Sequence, residues 1–459
     1  MWQVVVERYE QQAPSAVMAR LALDRALPAD WIDEVFEQNR QRQYPRELLF
    51  SSIVELMSLV TLGLRPSLHA AARKMADRMP VSLAALYAKV KRTEPALLRA
   101  LVRGSAERLS PVLAGLDLEP SLPGWQLRII DGNHLPASDK RLAELCDVRG
   151  AALPGHTLVV YDPDSTQVCD ILACEDAYES ERVGALQLVD SAQPGQAWIA
   201  DRHFCTATVL GGLHVRGAGF IVREHVKHPR LMSRGDWSEQ YATENGQVRE
   251  QSIELLLSKL ESSPCVTWRR IEIELDSPTD SGDKTVAVWS NLPADIPATT
   301  IARLYRKRWR IEGMFGRLES VLHSEIKTLG HPRAALLGFA VAVLAYNVLS
   351  LLKAVTERAH RATHPELDVS TYHLTVDIVS SYESMIMLLP SEHLPKADAD
   401  PLHVLERLLQ LASRLSPKQL ATSKRGPKKA SAKAGRAGGP VITAHVSTAR
   451  LIAEKGKRR

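Results

Sequence analysis

Cysteine is scarce in this sequence, and its arrangement excludes two kinds of structural site. The five cysteines are an odd number, are scattered over 459 residues and include no C-x-x-C pair. Neither a disulfide framework nor a cysteine zinc site is expected, and the pattern favours a reducing cytosol. The N-terminus also lacks the basic segment and apolar run of a signal peptide, so we expect a cytoplasmic protein.

Charge is absent from one long run, residues 334–352, which raises the question of a transmembrane helix. The run is rich in Ala, includes Gly338 and contains Asn347. A membrane crossing here would also separate the candidate site described below from the basic C-terminal tail. We therefore predict a buried helix packed on a sheet, and no membrane partner.

Acidic residues are nearly missing from the C-terminal tail, residues 416–459. The tail contains twelve Lys or Arg residues and one acidic residue, Glu454, so its net charge is +11. Since the whole chain carries +5, the remaining residues carry −6. A basic tail on a slightly acidic body indicates a polyanion partner, although a solubilising tail has the same composition. Its Ala, Gly, Lys and Arg content predicts disorder.

The rest of the composition, 45% hydrophobic and 24% charged, is typical of a globular protein of two to four domains. Residues 1–118 and 356–415 show apolar residues at helical spacing, and Ser67 and Ser82 are predicted N-caps. The cations near residues 82–109 would suit a DNA-binding helix-turn-helix, but a simple helical bundle explains the pattern equally well.

Strand patterns appear between these helical regions and predict an α/β core in residues 119–223 and 284–355. Residues 224–283 are rich in turns and alternating segments, so we expect a β-rich insertion. The predicted strands of the core cover 125–130, 156–161, 167–173, 196–200, 219–222 and 284–290, with helices at 180–190 and 206–215.

Residues 305–327 combine a dense cationic run with one early carboxylate. On a helix, at ~100° per residue, Tyr305, Arg308 and Glu312 fall within a ~60° sector, which Phe315 and Glu319 extend. A hydroxyl, a guanidinium and a carboxylate on one face are suited to a metal ion and a phosphate.

Two further carboxylates, Asp131 and Asp201, follow predicted strands. Either one alone is more typical of a turn or cap residue. With Glu312, however, they form three carboxylates on two strands and one helix, a ligand set that suits Mg²⁺. His134 and His203 lie nearby in the sequence and are a weak zinc signal; they could equally support the ligands, contact DNA or be polar turn residues.

At these residues the sequence resembles the DDE transposases of bacterial insertion sequences. Tyr305, Arg308 and Glu312 match the start of the Y-x2-R-x3-E-x6-K signature of the insertion-sequence-four family, the hairpin-forming cut-and-paste branch. The motifs DGNHL around Asp131 and ADRHF around Asp201 are similar to that branch as well. The resemblance covers residues 125–350.

The resemblance implies a ribonuclease H-like core with a β insertion, flanked by helical regions. It also implies two Mg²⁺ or Mn²⁺ ions held by the three carboxylates, a homodimer on double-stranded DNA, and a bacterial, nucleoid-associated protein. DNA-binding roles follow for the residues around Glu312, and a tryptophan of the insertion region is expected to stack on a flipped base. The DNA-binding candidates are Tyr305, Lys307, Arg308, Arg310 and Trp289, with Trp268 and Trp237 behind Trp289.

The signature is broken at one position. Glu319 stands where the family has lysine, seven residues after Glu312. Arg317 or Lys327 could substitute for that lysine, Glu319 could be an auxiliary ligand, or the copy could be decayed or repurposed; we favour substitution. Two alternatives to an active transposase therefore stay open: an inactive relative that binds transposon ends as a repressor, and an unrelated metal-dependent nuclease.

Overall fold

The computed structural model describes residues 2–41, 43, 48–75, 81–227, 229–257, 265–279, 282–423 and 445–456. Within these ranges the N-terminal part is helical, as the sequence predicts. The hydroxyl groups of Ser67 and Ser82 accept hydrogen bonds from the backbone N–H groups of Ala70 and Ala85, which confirms both N-caps. The helices are α1 (Trp2–Gln12), α2 (Pro14–Ala26), α3 (Ala29–Asn39), α4 (Phe50–Thr61), α5 (Leu68–Lys74), α6 (Leu83–Val90) and α7 (Pro95–Ala114).

A ten-stranded mixed sheet forms the centre of the described structure. Its order is β4-β3-β1-β5-β6-β11-β10-β9-β7, and β8 pairs with β9. The β1–β5 and β5–β6 pairs are parallel, and the other pairs are antiparallel. The strands are β1 (Gln126–His134), β3 (His156–Asp162), β4 (Gln167–Cys174), β5 (Gln196–Ala200), β6 (Gly219–Arg223), β7 (Leu231–Arg234), β8 (Tyr241–Thr243), β9 (Gly246–Leu256), β10 (Cys265–Leu275) and β11 (Thr285–Ser290); the short β2 (Ala151–Leu153) lies outside this sheet.

Helices cover both faces of the sheet, so alternate residues of its strands enter different cores. Ile129 and Ile199 belong to the core shared with the N- and C-terminal helices, whereas Ile130 and Trp198 belong to the core under α8 and α9. The remaining helices up to residue 412 are α8 (Glu181–Val189), α9 (Ala207–Val215), α10 (Ala298–Arg306), α11 (Trp309–Ser320), α12 (Pro332–His360), α13 (Thr371–Leu388) and α14 (Pro401–Ala412).

The uncharged run lies in α12, which is long and apolar enough to cross a membrane but whose most apolar window is entirely buried inside the protein. Asn347 in its middle accepts a hydrogen bond from Val168 N (2.8 Å) and donates one to Val168 O (2.9 Å). The side chain thus pairs with the edge strand β4, which explains a buried polar residue in an apolar helix. Helices α2, α4, α7, α13 and α14 all pack against or around α12, so the two predicted helical regions form one layer.

The insertion continues the central sheet, because β10 pairs with β11 along six residues and with β9 along eleven. It therefore extends the same layer beyond β11.

The parts of the C-terminal tail that the structure describes form secondary structure and contact the rest of the chain. Residues 417–420 form α15 (Pro417–Leu420), and β12 (His445–Ser447) pairs in parallel with β2 before α16 (Thr448–Gly456). Arg450 Nε lies 2.5 Å from Asp176 Oδ2, which ties the end of the tail to the loop before α8. Composition alone missed this docking because its contacts are distant in sequence. Residues 424–444 lie outside the described residues.

Candidate active site

Asp131 and Asp201 lie side by side near the carboxyl ends of the neighbouring parallel strands β1 and β5. The parallel register pairs Ile129 with Ile199, so the two aspartates follow at equivalent positions of neighbouring strands. β1 is longer than predicted and contains Asp131, whereas Asp201 directly follows β5. The Asp201 carboxylate accepts a hydrogen bond from His203 N (2.7 Å), which fixes it at the start of a short 3₁₀ turn.

The predicted continuous helix around Glu312 is interrupted. Helix α10 ends at Arg306 and α11 begins at Trp309, with Lys307 and Arg308 forming a turn between them. Lys307 and Arg308 keep αR backbone angles across this turn, and the Arg308 side chain contacts both Tyr305 and Glu312, so the three side chains still lie together. The turn places Arg308 and Glu312 together, with Glu312 in the first turn of α11.

The guanidinium of Arg308 joins two of the three carboxylates. Its Nη1 lies 3.3 Å from Asp131 Oδ2, and its Nη2 lies 3.1 Å from Glu312 Oε1. The side chains of Arg308 and Asp131 are 14% and 22% exposed, so solvent screens their contact less than that with Glu312, which is 42% exposed. Arg308 also interacts electrostatically with Asp201. One cation is thus shared by all three predicted ligands.

The shared cation does not fully compensate the negative charge of the site. Burial raises the pKa of Asp131 to about 6, and the neighbouring charges of Asp201 and Glu181 add to this increase, whereas Arg308 and the Gly132 N–H oppose it. Asp131 therefore holds a proton more readily than an ordinary aspartate does.

Tyr305 lies next to Arg308 and close to a second basic group. Burial raises the pKa of its phenol, which Arg308 and Arg223 partly offset. Arg202 and Arg223 also line a cavity of about 320 Å³ beside Asp201, together with Glu224 and His225. The carboxylates are thus bordered by a hydroxyl and a partly cationic cleft. The larger cleft of about 490 Å³ surrounds Gln126, at the other end of β1.

The structure places Lys307 and Arg310 away from this site. Lys307 contacts Ser121 and lies 3.3 Å from Asp164 Oδ1, and Arg310 Nη1 donates a hydrogen bond to Pro163 O (2.8 Å). Both cations hold the α10–α11 corner against the turn between β3 and β4. Their predicted DNA contacts would compete with these internal ones.

The prediction that Trp289 or Trp268 stacks on a flipped base disagrees with the structure. Trp289 and Trp268 are buried (0% and 1% exposed), so neither offers a face to a base in this structure. Trp237 is 37% exposed, but its ring already packs against the guanidinium of Arg249 at 4.2 Å. Trp309 was not among the tryptophan candidates: the residue is 60% exposed, and its ring lies 5.1 Å from the Arg308 guanidinium.

The histidines do not complete a metal site. His134 stacks on His156 with a centroid distance of 5.3 Å, and His203 lies beside Glu181. Among the described residues no group of three or more His, Cys, Asp or Glu side chains is arranged to hold a metal ion. Asp131 and Glu312 instead both contact the guanidinium of Arg308.

The fold and the site together define a mixed α/β protein with an acidic cluster at the carboxyl end of two parallel strands. Residues 126–348 match the family model of the transposase DDE domain, which includes β1, β5 and α11 and therefore all three carboxylates. This match supports a DDE transposase, and with it transposition and DNA binding. No curated protein matches the chain.

Proposed function

We propose that this chain is an active DDE transposase that cleaves transposon ends and joins them to target DNA by metal-dependent hydrolysis and transesterification. The shared ion-pair cluster carries the proposal: Asp131 and Glu312 are bridged by one half-buried guanidinium, with Asp201 beside them. The insertion-sequence-four signature at Tyr305, Arg308 and Glu312 supports the hairpin-forming branch and a synaptic homodimer.

The donor set fits a divalent metal ion. The cluster offers only carboxylate oxygens, which hard cations such as Mg²⁺ and Mn²⁺ prefer, and two of the carboxylates already bind a cationic group. Asp131, Asp201 and Glu312 would hold two such ions once Arg308 moves aside. Bound there, the ions would activate a water or 3′-hydroxyl and stabilise the leaving oxygen.

The protein's own groups would position the DNA. Arg308 would bind a DNA phosphate, and its guanidinium would then release Asp131 and Glu312. The Tyr305 hydroxyl would contact the same phosphate. The exposed Trp309 ring lies next to Arg308 and could stack on a DNA base. Base stacking on an aromatic side chain contributes ~1–3 kcal/mol of binding free energy per base in other proteins. Arg202 and Arg223 line the cleft through which the strand would continue.

The substituted lysine position favours a second candidate, an inactive relative that only binds transposon ends. Glu319 borders a small cavity with Asn133 and Glu325, close to the end of β1. Burial and the charge of Glu319 raise the pKa of Glu325, and Lys327 opposes that effect. Lys327 and Glu319 thus both lie near Glu325, which supports substitution by this lysine more than by Arg317, which contacts Tyr346.

A cleavage assay tests the two candidates. The substrate is a labelled duplex from the DNA that flanks the reading frame, incubated with the full chain and Mg²⁺ or Mn²⁺. Hairpin product supports the active transposase, binding without cleavage supports the repressor, and indiscriminate nicking indicates a different nuclease. Asp131→Ala, Asp201→Ala and Glu312→Ala should each lower cleavage by more than about a hundredfold while binding survives. Normal cleavage by Glu312→Ala would contradict the assignment.

A further inference from the structure

The end of the C-terminal tail, residues 445–456, packs on the segment that leaves β1, and we call these residues the C-terminal arm. Its strand β12 pairs in parallel with β2 over three residues. The segment that contains β2 is itself bound to the residue after β1, because Leu135 N donates a hydrogen bond to Gly155 O (3.0 Å). Helix α16 then packs against the 3₁₀ turn at residues 143–145. The arm therefore contacts the chain immediately beyond β1.

The arm also contacts the loop between β4 and α8. The Ser447 hydroxyl accepts a hydrogen bond from Ala177 N (3.1 Å) and also hydrogen-bonds to the Asp176 side chain. Arg450 Nε lies 2.5 Å from Asp176 Oδ2, and the Arg450 guanidinium lies 5.0 Å from the centre of the Tyr178 ring. Burial alone would raise the pKa of Asp176, but hydrogen bonds from Tyr178 N and from the arm lower it. Two side chains of the arm thus hold this loop.

One route of contacts leads from the loop to Asp131. Ala177 O lies 3.2 Å from Nε2 of His134, a residue of β1 three positions after Asp131. His134 pairs with His156 of β3, whose Nδ1 lies 3.2 Å from Asp176 O, and the two rings are stacked. The carbonyl groups of two consecutive loop residues therefore contact the ends of β1 and β3 beside this aspartate.

A second route leads from the loop to Asp201. The loop continues into α8, where Arg182 Nε donates a hydrogen bond to His203 O (2.8 Å). His203 N in turn donates to Asp201 Oδ1 (2.7 Å), and this hydrogen bond fixes the carboxylate. At the start of the same helix, the Glu181 carboxylate fills the space beside Gly132 in which a side chain would lie. A shift of the loop would therefore move the start of α8 and the turn that holds Asp201.

On the basis of the proposed function, we propose that the C-terminal arm positions Asp131 and Asp201 for DNA cleavage, with Ser447 and Arg450 as positioning residues. The arm acts through the loop between β4 and α8. A tail that only stabilised the fold would need no particular docking place, whereas this arm joins the segments that follow β1 and precede α8. The Ser447 hydroxyl is buried, but the Arg450 side chain is 54% exposed, so we expect the larger effect from Ser447.

Hydrogen exchange of the full chain, followed by mass spectrometry, tests the positioning directly. The amides of Gly132 and His203 donate hydrogen bonds to the two aspartate carboxylates, so their exchange reports whether each carboxylate is held. Ser447→Ala should speed the exchange of both amides about five- to tenfold, because the freed loop opens more often. Arg450→Gln should have the same effect at about two- to threefold.

Two variants remote from the loop are matched controls. Ser105→Ala removes another buried hydroxyl, in α7, and Arg216→Gln removes another exposed ion pair, which Arg216 forms with Asp190 after α8. Neither control should change the exchange of the two reporter amides. Unchanged exchange in Ser447→Ala, or an equal change in Ser105→Ala, would overturn the proposal.

Cleavage measurements show whether the positioning matters for the chemistry. With saturating transposon-end DNA, Ser447→Ala should slow single-turnover cleavage about five- to tenfold. Its affinity for the same DNA should stay within about twofold, since the phosphate contacts are unchanged. Faster exchange with an unaltered cleavage rate would overturn the proposal, because the arm would then only stabilise the loop. Absence of cleavage by the unaltered chain would instead overturn the proposed function, and the exchange data would still decide whether the arm holds the aspartates.

Discussion

The carboxylates of the insertion and those of the candidate site differ in how their charge is balanced. In the insertion and the end of β6, three glutamates meet three arginines. The described ion pairs are Arg249–Glu272, Arg269–Glu250, Arg270–Glu224 and Arg270–Glu272. In the site, Asp131, Asp201 and Glu312 share the single guanidinium of Arg308, and Glu181 adds a further negative charge near Asp131.

The pKa values follow this difference. Burial alone would raise the pKa of Glu272, but hydrogen bonds from Arg249 and Arg270 outweigh burial and lower it. Burial raises the pKa of Asp131 to about 6 because Arg308 cannot offset burial together with two neighbouring carboxylates. Loss of one partner from a balanced cluster leaves a buried charge unpaired, whereas an unbalanced cluster of carboxylates offers oxygens to a divalent cation.

The largest effect is expected from removing a guanidinium from the balanced cluster. The Arg270 side chain is 11% exposed and pairs with Glu224 and Glu272, so Arg270→Ala leaves buried charge unpaired. We expect a loss of about 3–5 kcal/mol in the free energy of unfolding, measured by urea denaturation. Arg141→Ala is the control, because its exposed pair with Asp139 should be worth less than about 1 kcal/mol. Similar losses in both variants would contradict the contrast.

Asp131→Asn and Glu272→Gln should change stability in opposite directions. Since the pKa of Asp131 is raised from 3.8 to about 6, the folded chain keeps a proton that the unfolded chain has lost between these values. Stability therefore falls as pH rises through this window, by an amount on the order of 2–3 kcal/mol. Asp131→Asn removes this cost, so at pH 7.5 in EDTA it should stabilise the chain, and the gain should nearly vanish at pH 4.

Glu272→Gln provides the opposite case. The lowered pKa of Glu272 means that its charged form stabilises the fold above the ordinary glutamate range, a contribution that is lost as pH falls. The variant should therefore be less stable at pH 7.5, with a difference that shrinks toward acid pH. Thermal melts across this pH range measure both variants, and changes of the same sign would refute the assigned charge balance.

The local patterns that carried the sequence analysis were those with a periodic or capping signal. Alternating apolar residues predicted the core strands and therefore the positions of Asp131 and Asp201 relative to them. Serine residues predicted the starts of two helices. The parallel register that sets the two aspartates side by side is a long-range contact, and no single segment encodes it.

Other features depended on contacts that no local pattern contains. Trp289 alternates along β11 like a half-exposed residue, but helices cover both faces of the sheet and both sets of side chains are buried. The break between α10 and α11 has no proline or glycine to mark it, since Lys307 and Arg308 form the turn. Glu181 approaches Gly132 from 49 residues away in sequence, so only the folded chain reveals that contact.

Arg308→Gln should make the unbalanced cluster more receptive to metal. Its guanidinium occupies the space between Asp131 and Glu312, so its removal eliminates an internal competitor for both carboxylates. Without DNA, Mn²⁺ binding should tighten about tenfold, equivalent to about 1.4 kcal/mol, as measured by calorimetry. Arg270→Gln should create no Mn²⁺ site, because Glu272 keeps Arg249 as its partner. Weaker Mn²⁺ binding by Arg308→Gln would mean that Arg308 supports the metal site rather than competing for it.

The smallest effect concerns the position where the family has lysine. Glu319 is exposed on α11 and adds negative charge near Glu325, so Glu319→Lys converts repulsion of DNA into attraction. Affinity for the end duplex should rise about two- to fivefold, and the salt dependence of binding should steepen by about 0.9 per added phosphate contact. Anisotropy titrations at several salt concentrations measure both the affinity and its salt dependence.

Glu392→Lys is the matched control, since Glu392 is also exposed but lies in the turn between α13 and α14. An identical gain in both variants would show that net charge, and not the face of α11, determines the affinity.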